Sequence, residues 1–156
     1  MTNTDLSNLD VSQLAQEPLM MSSHLEAIET VIGSMAQNDS AMVQNLGSVS
    51  LWKFQYGSVE VFVQLTGEEE ENLFTVWAGV LTLPAKDEPG LFRHLLTLNW
   101  DTTIETCFAL KNNQIVVICQ RTVADLSPSE ISRAITLVAA IADDHDEILK
   151  EKFGGQ

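Results

Sequence analysis

Leu95 to Gln120 reads LLTLNWDTTIETCFALKNNQIVVICQ. It holds a Trp, an acid, two Cys and two adjacent Asn, the raw material of an active site or the ordinary middle of a sheet. Thr103–Leu110 and Gln114–Arg121 read as strands, and Asn112-Asn113 between them tolerates the left-handed backbone of a tight type I′ turn. Folding there sets Leu110 opposite Ile115, Phe108 opposite Val117, Cys107 opposite Ile118 and Thr106 opposite Cys119. The two Cys then point to opposite faces, where no disulfide can form, and two small buried thiols are expected. Asp101 falls at a helix-to-strand junction, where short polar residues satisfy backbone groups. The stretch is structural.

Upstream, Lys86–Trp100 (KDEPGLFRHLLTLNW) predicts a helix, with Asp87 as cap, Pro89 in the first turn and Leu91, Leu95 and Leu98 on one face. Before it, Leu73–Pro84 (LFTVWAGVLTLP) is apolar on both faces and predicts a long central strand closed by Pro84, with Gly79 marking a bulge or a close backbone approach. The acidic run Gly67–Asn72 is a solvated loop. A second hairpin precedes it in Val49–Thr66, VSLWKFQYGSVEVFVQLT. A two-residue turn at Gly57-Ser58 pairs Tyr56 with Val59, Phe54 with Val61, Trp52 with Val63 and Ser50 with Leu65. Large residues then share one face while Lys53, Gln55, Glu60 and Gln64 share the other, so turn chemistry and pattern agree.

Two further helices flank these strands. Ser23-x-x-Glu26 is a capping box ahead of Leu25, Ile28, Ile32 and Met35. Ser127-Pro128-Ser129-Glu130 opens a long helix whose stripe includes Ile131, Ile135, Val138 and Ala142, and which Gly154-Gly155 stops. Residues 1–22, polar with scattered Leu and a Pro, read as a flexible N-terminal arm, and 23–156 as one domain. The expected fold is α+β in the order α-β-β-β-α-β-β-α, one antiparallel sheet of about five strands flanked by helices.

The 156 residues are 45% hydrophobic and 19% charged, a globular balance, and carry a net charge of −14. No Lys or Arg precedes Lys53. Nucleic acid and anionic membrane surfaces both require clustered cations, so neither is expected as a partner. With no spanning run and no leader pattern, the expected location is the cytoplasm.

Candidate chemistry is sparse. Asp143–Glu147 (DDHDE) is the best metal candidate, but five consecutive helical residues splay around the axis, and a solvated acidic segment is expected instead. His94 with Cys107 would make a nucleophile and base pair only if the fold joined them. The chain lacks GxSxG, P-loop and GxGxxG motifs. A non-catalytic protein is expected, without cofactor, with a small enzyme or metal protein built on those residues as the alternative. Trp52, Phe54 and Tyr56 alternate on one strand, and Met20, Met21, Met35 and Met42 gather around the first helix. Trp52, Phe54, Tyr56 and Met35 are therefore candidates for binding a partner protein or peptide. A sheet apolar on both faces needs more cover than three helices give, and self-association would supply it.

The order of elements over residues 23–153 resembles the type III secretion chaperone-like fold and, within it, the YbjN-like proteins. VWAGVLTLP, the whole of LFRHLLTLNWDTTIETCFALKNNQIVVICQ and the closing LSPSEISRAITLVAAIADDHDEIL carry the resemblance. It implies a small acidic α+β domain, homodimeric, that binds other proteins through apolar patches and exposed strand edges and does no chemistry. In such chaperones the middle helix contributes to the dimer contact, which here implicates Leu91, Leu95 and Leu98.

Overall fold

The computed structural model describes residues 23–36 and 41–155, with side chains described outside 41–46. The expectations for the arm (1–22), Met20, Met21 and Met42 lie outside the described residues. Helix α1 (His24–Met35) is followed by strands β1 (Ala41–Leu46), β2 (Val49–Tyr56), β3 (Val59–Leu65) and β4 (Leu73–Thr82), helix α2 (Glu88–Asp101), strands β5 (Cys107–Lys111) and β6 (Gln114–Thr122), and helix α3 (Pro128–Phe153). The strands form one antiparallel sheet in the order β1-β2-β3-β4-β6-β5. The α+β fold is as the sequence implies, with β1 as an additional sixth strand whose short run AMVQNL gave no usable alternation.

Both hairpins fold in the expected registers. Tyr56 faces Val59, Phe54 faces Val61, Trp52 faces Val63 and Ser50 faces Leu65; Leu110 faces Ile115, Phe108 faces Val117 and Cys107 faces Ile118. Gly57 and Asn112 adopt positive φ, 54° and 56°, as the turns demand. The register slips between Gly79 and Leu81, so β4 does bulge at its glycine, and a Cβ there would run into the Gln114 side chain.

One prediction needs trimming. The strand expected from Thr103 starts only at Cys107, because Ile104 takes a φ of 56° and Thr106 turns back to bond the Thr103 carbonyl through both its N–H (2.9 Å) and its hydroxyl (2.7 Å). Thr residues favoured for strands by shape are here used as local hydrogen-bond donors.

All three described helices lie on one face of the sheet. Trp52, Phe54, Val61, Val63, Phe74, Val76 and Val117 point from the strands into a core closed by Ile131, Ile135, Val138 and Ala142 of α3 and Ile28 and Ile32 of α1. Helix α3 packs on β4, reaching β3 and β6, with α1 beside it. Ser127 and Glu130 form a complete capping box at the start of α3, and Glu130 also pairs with Arg121 at the end of β6. Ser23 Oγ accepts from the Glu26 N–H at 3.2 Å to start α1.

The packing overturns several candidate roles. Trp52 and Phe54 are 3% and 2% exposed, inside the core, and Tyr56 and Met35 pack against it, so these four residues do not form a free binding surface. The face shared by large strand residues was the core face, and an isolated sequence cannot distinguish that face from an interface. Cys107, expected buried, is exposed, since its face of the sheet carries no described helix; Cys119 is half-buried on the helix side.

Candidate protein-binding site

Helix α2 carries two apolar stripes. Leu91 and Leu95 turn inward and are 0% and 5% exposed, and Leu98 packs against the same core. Leu91 and Leu95 are used up within the chain, which removes them as dimer-contact residues, and partly buried Leu98 keeps only an edge. The second stripe, Phe92, Leu96 and Trp100, recurs every four residues on the outer side, where Leu96 is 69% and Trp100 89% exposed. Ile104, in the turn after the helix, and Leu110, on β5, extend this exposed apolar surface. A groove of about 240 Å³ runs between α2 and β5, lined by Phe92, Leu95, Leu96, Asn99, Phe108 and Leu110 among others.

Asn99 fixes the groove. Its Oδ1 accepts from the Phe108 N–H at 2.7 Å and its Nδ2 donates to the Phe108 carbonyl at 3.2 Å. A strand residue's N–H and C=O point to the same side, so the Asn99 amide stands where the next strand's backbone would be. Strand β5 ends the sheet, yet the outward-facing backbone of its second residue, Phe108, is already paired, which blunts this edge for strand addition. Binding here falls to side chains. With both ends of Asn99 engaged, the groove otherwise presents apolar groups, a surface suited to burying another apolar surface and offering no poised acid, base or nucleophile.

His94 and Cys107 are separated by the sheet. His94 lies on the helix side with its ring 6.0 Å from that of Phe153 at the end of α3, whereas Cys107 projects from the opposite face beside Ile118. Burial, then the positive charges of Lys152 and His145, hold the His94 pKa below its usual range. Burial, then the charges of Glu105 and Cys107, push the Cys119 thiol up, against a smaller opposite effect of Arg121. His94 and Cys107 are therefore not joined in the nucleophile and base pair that the sequence left open.

The acidic segment Asp143–Glu147 is also more than a solvated run. Asp146 is fully buried and Asp143 half-buried, and both carboxylates grip the β2–β3 turn. Ser58 Oγ lies 2.8 Å from both oxygens of Asp146 and 3.0 Å from Asp143 Oδ1, which also accepts the Ser58 N–H at 2.9 Å. Lys150 Nζ approaches Asp146 at 3.4 Å. His145 instead bonds the Ile141 carbonyl at 2.8 Å and sets its ring edge-on to Phe108. These partners give the segment a clamping role. Among the described residues no three His, Cys, Asp or Glu side chains are placed to hold a metal ion, and no helix is long and apolar enough to cross a membrane.

Sequence reasoning missed Phe92, Leu96 and Trp100. Their four-residue spacing was visible, but so was that of Leu91 and Leu95, and only the packed helix separates the two stripes.

The model of the YbjN family, described as "Putative bacterial sensory transduction regulator", matches residues 24–151. No curated protein matches the chain. Among solved structures, the chain is similar to one in the crystal structure of the ExsC-ExsE complex, at 16% identity and a TM-score of 0.47, over 79% of this chain and 90% of that one.

Proposed function

The chain belongs to the YbjN family, and on that premise we propose that it is a non-catalytic protein-binding module, homodimeric through the outer face of α2, with a chaperone-like or regulatory role toward a partner protein. The observation that carries this reading is the exposed stripe Phe92, Leu96 and Trp100, continued by Ile104 and Leu110 around the α2–β5 groove. Exposed apolar surface of this kind, contiguous and held on a rigid helix, marks an interaction site. Trp and Phe are the residues that anchor such contacts. A second copy brings an identical stripe, so a two-fold axis beside α2 sets Leu96 near its own counterpart and Trp100 over the groove of the other chain.

Charge argues for an apolar contact in particular. Each copy carries −14, so two copies repel at long range and are held together only where the surface lacks acids. Light scattering on the wild type and on Leu96→Asp tests the reading. A dimer that becomes a folded monomer on substitution is expected, because a carboxylate buried in an apolar interface without a partner costs several kcal/mol. A wild type that remains monomeric at all concentrations sinks the dimer, and the stripe then has to be the seat of a different protein.

A further inference from the structure

The outer side of α2 holds a second recess beside the groove. It is a shallow hollow of about 530 Å³ lined by Pro89, Phe92, Arg93, Leu96 and Thr97, and it shares its Phe92 and Leu96 walls with the groove. Among the described residues no acid lines it, in a chain with 22 Asp and Glu, and its one charge is Arg93. Cations are scarce in this chain, eight in all, and most are engaged. Lys53, Arg121, Arg133 and Lys150 pair with carboxylates, and Lys111 and Lys152 lie over aromatic rings. Arg93, exposed beside Phe92, has neither kind of partner among the described residues. Trp100, in the last turn of the same helix, is an indole 89% exposed. About 10 Å of helix axis separates the two within one chain.

Charge decides how two such helices meet. Side by side and parallel, Glu88, Arg93 and Asp101 each approach their own copy, like charge to like. Antiparallel, the first turn of one helix lies against the last turn of the other, so ends of opposite partial charge come together. Arg93 then faces the end that carries Asp101 and Trp100. A two-fold axis at Leu96 places every residue beyond Leu96 level with one equally far before it on the partner. Trp100, about 6 Å past Leu96 along the axis, comes level with Phe92 of the other copy, at the hollow. A space of that size admits an indole. Trp offers the best ring face for a cation, and the planar guanidinium of Arg93 is shaped to stack on it.

Given the dimer through α2, on which this rests, we propose that the two copies pair antiparallel, each seating its Trp100 in the hollow of the other with Arg93 over the indole. Sedimentation equilibrium on the full chain tests it, with wild type, Arg93→Gln, Trp100→Leu and the double variant. Both positions are exposed in the single chain, and circular dichroism checks that each variant is folded; Trp100→Met substitutes if the Leu variant is not. Leu keeps an apolar contact, so the weakened dimer stays measurable. Arg93→Gln is expected to weaken the wild-type dimer by about fivefold or more, because two such contacts are lost per dimer. It also adds a unit of negative charge to each copy, an effect that operates with or without the indole. In the Trp100→Leu background the same substitution is therefore expected to weaken the dimer far less. Equal weakening in the two backgrounds overturns the Arg93–Trp100 contact and leaves the α2 dimer standing. A wild type that stays monomeric overturns both.

Discussion

Ser58 and Asp146, 88 residues apart, share a hydrogen bond at 2.8 Å that ties the β2–β3 turn to the last third of α3. The hydroxyl has one proton and three carboxylate oxygens within 3.0 Å. Asp146 is fully buried, and its other partner is Lys150. Ser58→Ala therefore leaves a buried carboxylate short of a donor, at a cost of about 1–3 kcal/mol. Urea unfolding should show the loss in the midpoint with an unchanged slope. In a double-mutant cycle with Asp146→Ala, the pair should couple by about 1 kcal/mol or more; additive losses would mean that the contact contributes little.

The neighbouring Gly57 is constrained twice. Its φ of 54° disfavours any side chain, and a Cβ would collide with the Asp143 carboxylate. Gly57→Ala should cost more than the roughly 1 kcal/mol of backbone strain alone, and Asp143→Ala should relieve the excess. Thermal melts of the two single variants and the double variant decide this, and equal losses with and without Asp143 would refute the collision.

On α2, adjacent residues should behave oppositely. Leu95→Asp buries a charge in the core and should unfold the protein, whereas Leu96→Asp should leave it folded and monomeric. Trp100→Ala should weaken the dimer by about 2 kcal/mol or more, some thirtyfold in dissociation constant. Raising ionic strength should strengthen the wild-type dimer, since salt screens the repulsion between two acidic copies and leaves apolar contacts intact. Sedimentation at low and high salt checks both statements, and dimerisation weakened by salt would point to an ionic interface.

The two thiols should separate kinetically. Cys107 is exposed, while the thiol of Cys119 is half-buried and pushed up in pKa by burial and by nearby negative charge. Thiolate is the reactive form, so a colourless disulfide reagent should react in a fast and a slow phase, and Cys107→Ser should remove the fast one. A single phase, or an intramolecular disulfide, would contradict the register that puts them on opposite faces.

His94 sets a pH dependence. Its folded pKa is lowered from about 6.5, so on acidification the unfolded chain takes up the proton first. Stability from this group is complete above about pH 6.5 and is lost as pH falls from there through the folded value. Urea midpoints at pH 7.5, 6.5 and 5.5, above the range where most carboxylates titrate, should fall for the wild type. His94→Gln should flatten that decline, and an equal decline in both proteins would assign it to other groups.

The strands were legible wherever turn chemistry and alternation agreed. Gly57-Ser58 and Asn112-Asn113 gave the register of both hairpins, with only the expected Thr106–Cys119 pair failing to form because β5 starts at Cys107, and Gly79 gave the bulge. What stayed hidden was direction: which stripe of α2, which face of β2, faces the core. Trp52 and Phe54 resemble interface anchors until α1 and α3 are laid over them. Asp146 was hidden differently, since an acid in an acidic run reads as solvated. Its place on the stripe Ala139, Ala142, Asp146, Leu149 and Phe153 was present in the spacing, but its donor Ser58 is remote in sequence.

The strand order β4-β6-β5 has a consequence for synthesis, which delivers the chain from its N-terminus. When Thr82 has emerged, β1–β4 can already pair as a meander, but the ten-residue outer edge of β4 has no neighbour and its core face has no α3. Strand β6 ends at Thr122, and at about 5–20 residues per second it follows some 2–8 s later. During that interval the nascent protein displays a long apolar edge of the kind that recruits foreign strands. Ribosome-held chains tethered so that Pro84 has just cleared the exit tunnel should be digested readily by protease and bind holding factors, and those tethered so that Phe153 has cleared it should do neither.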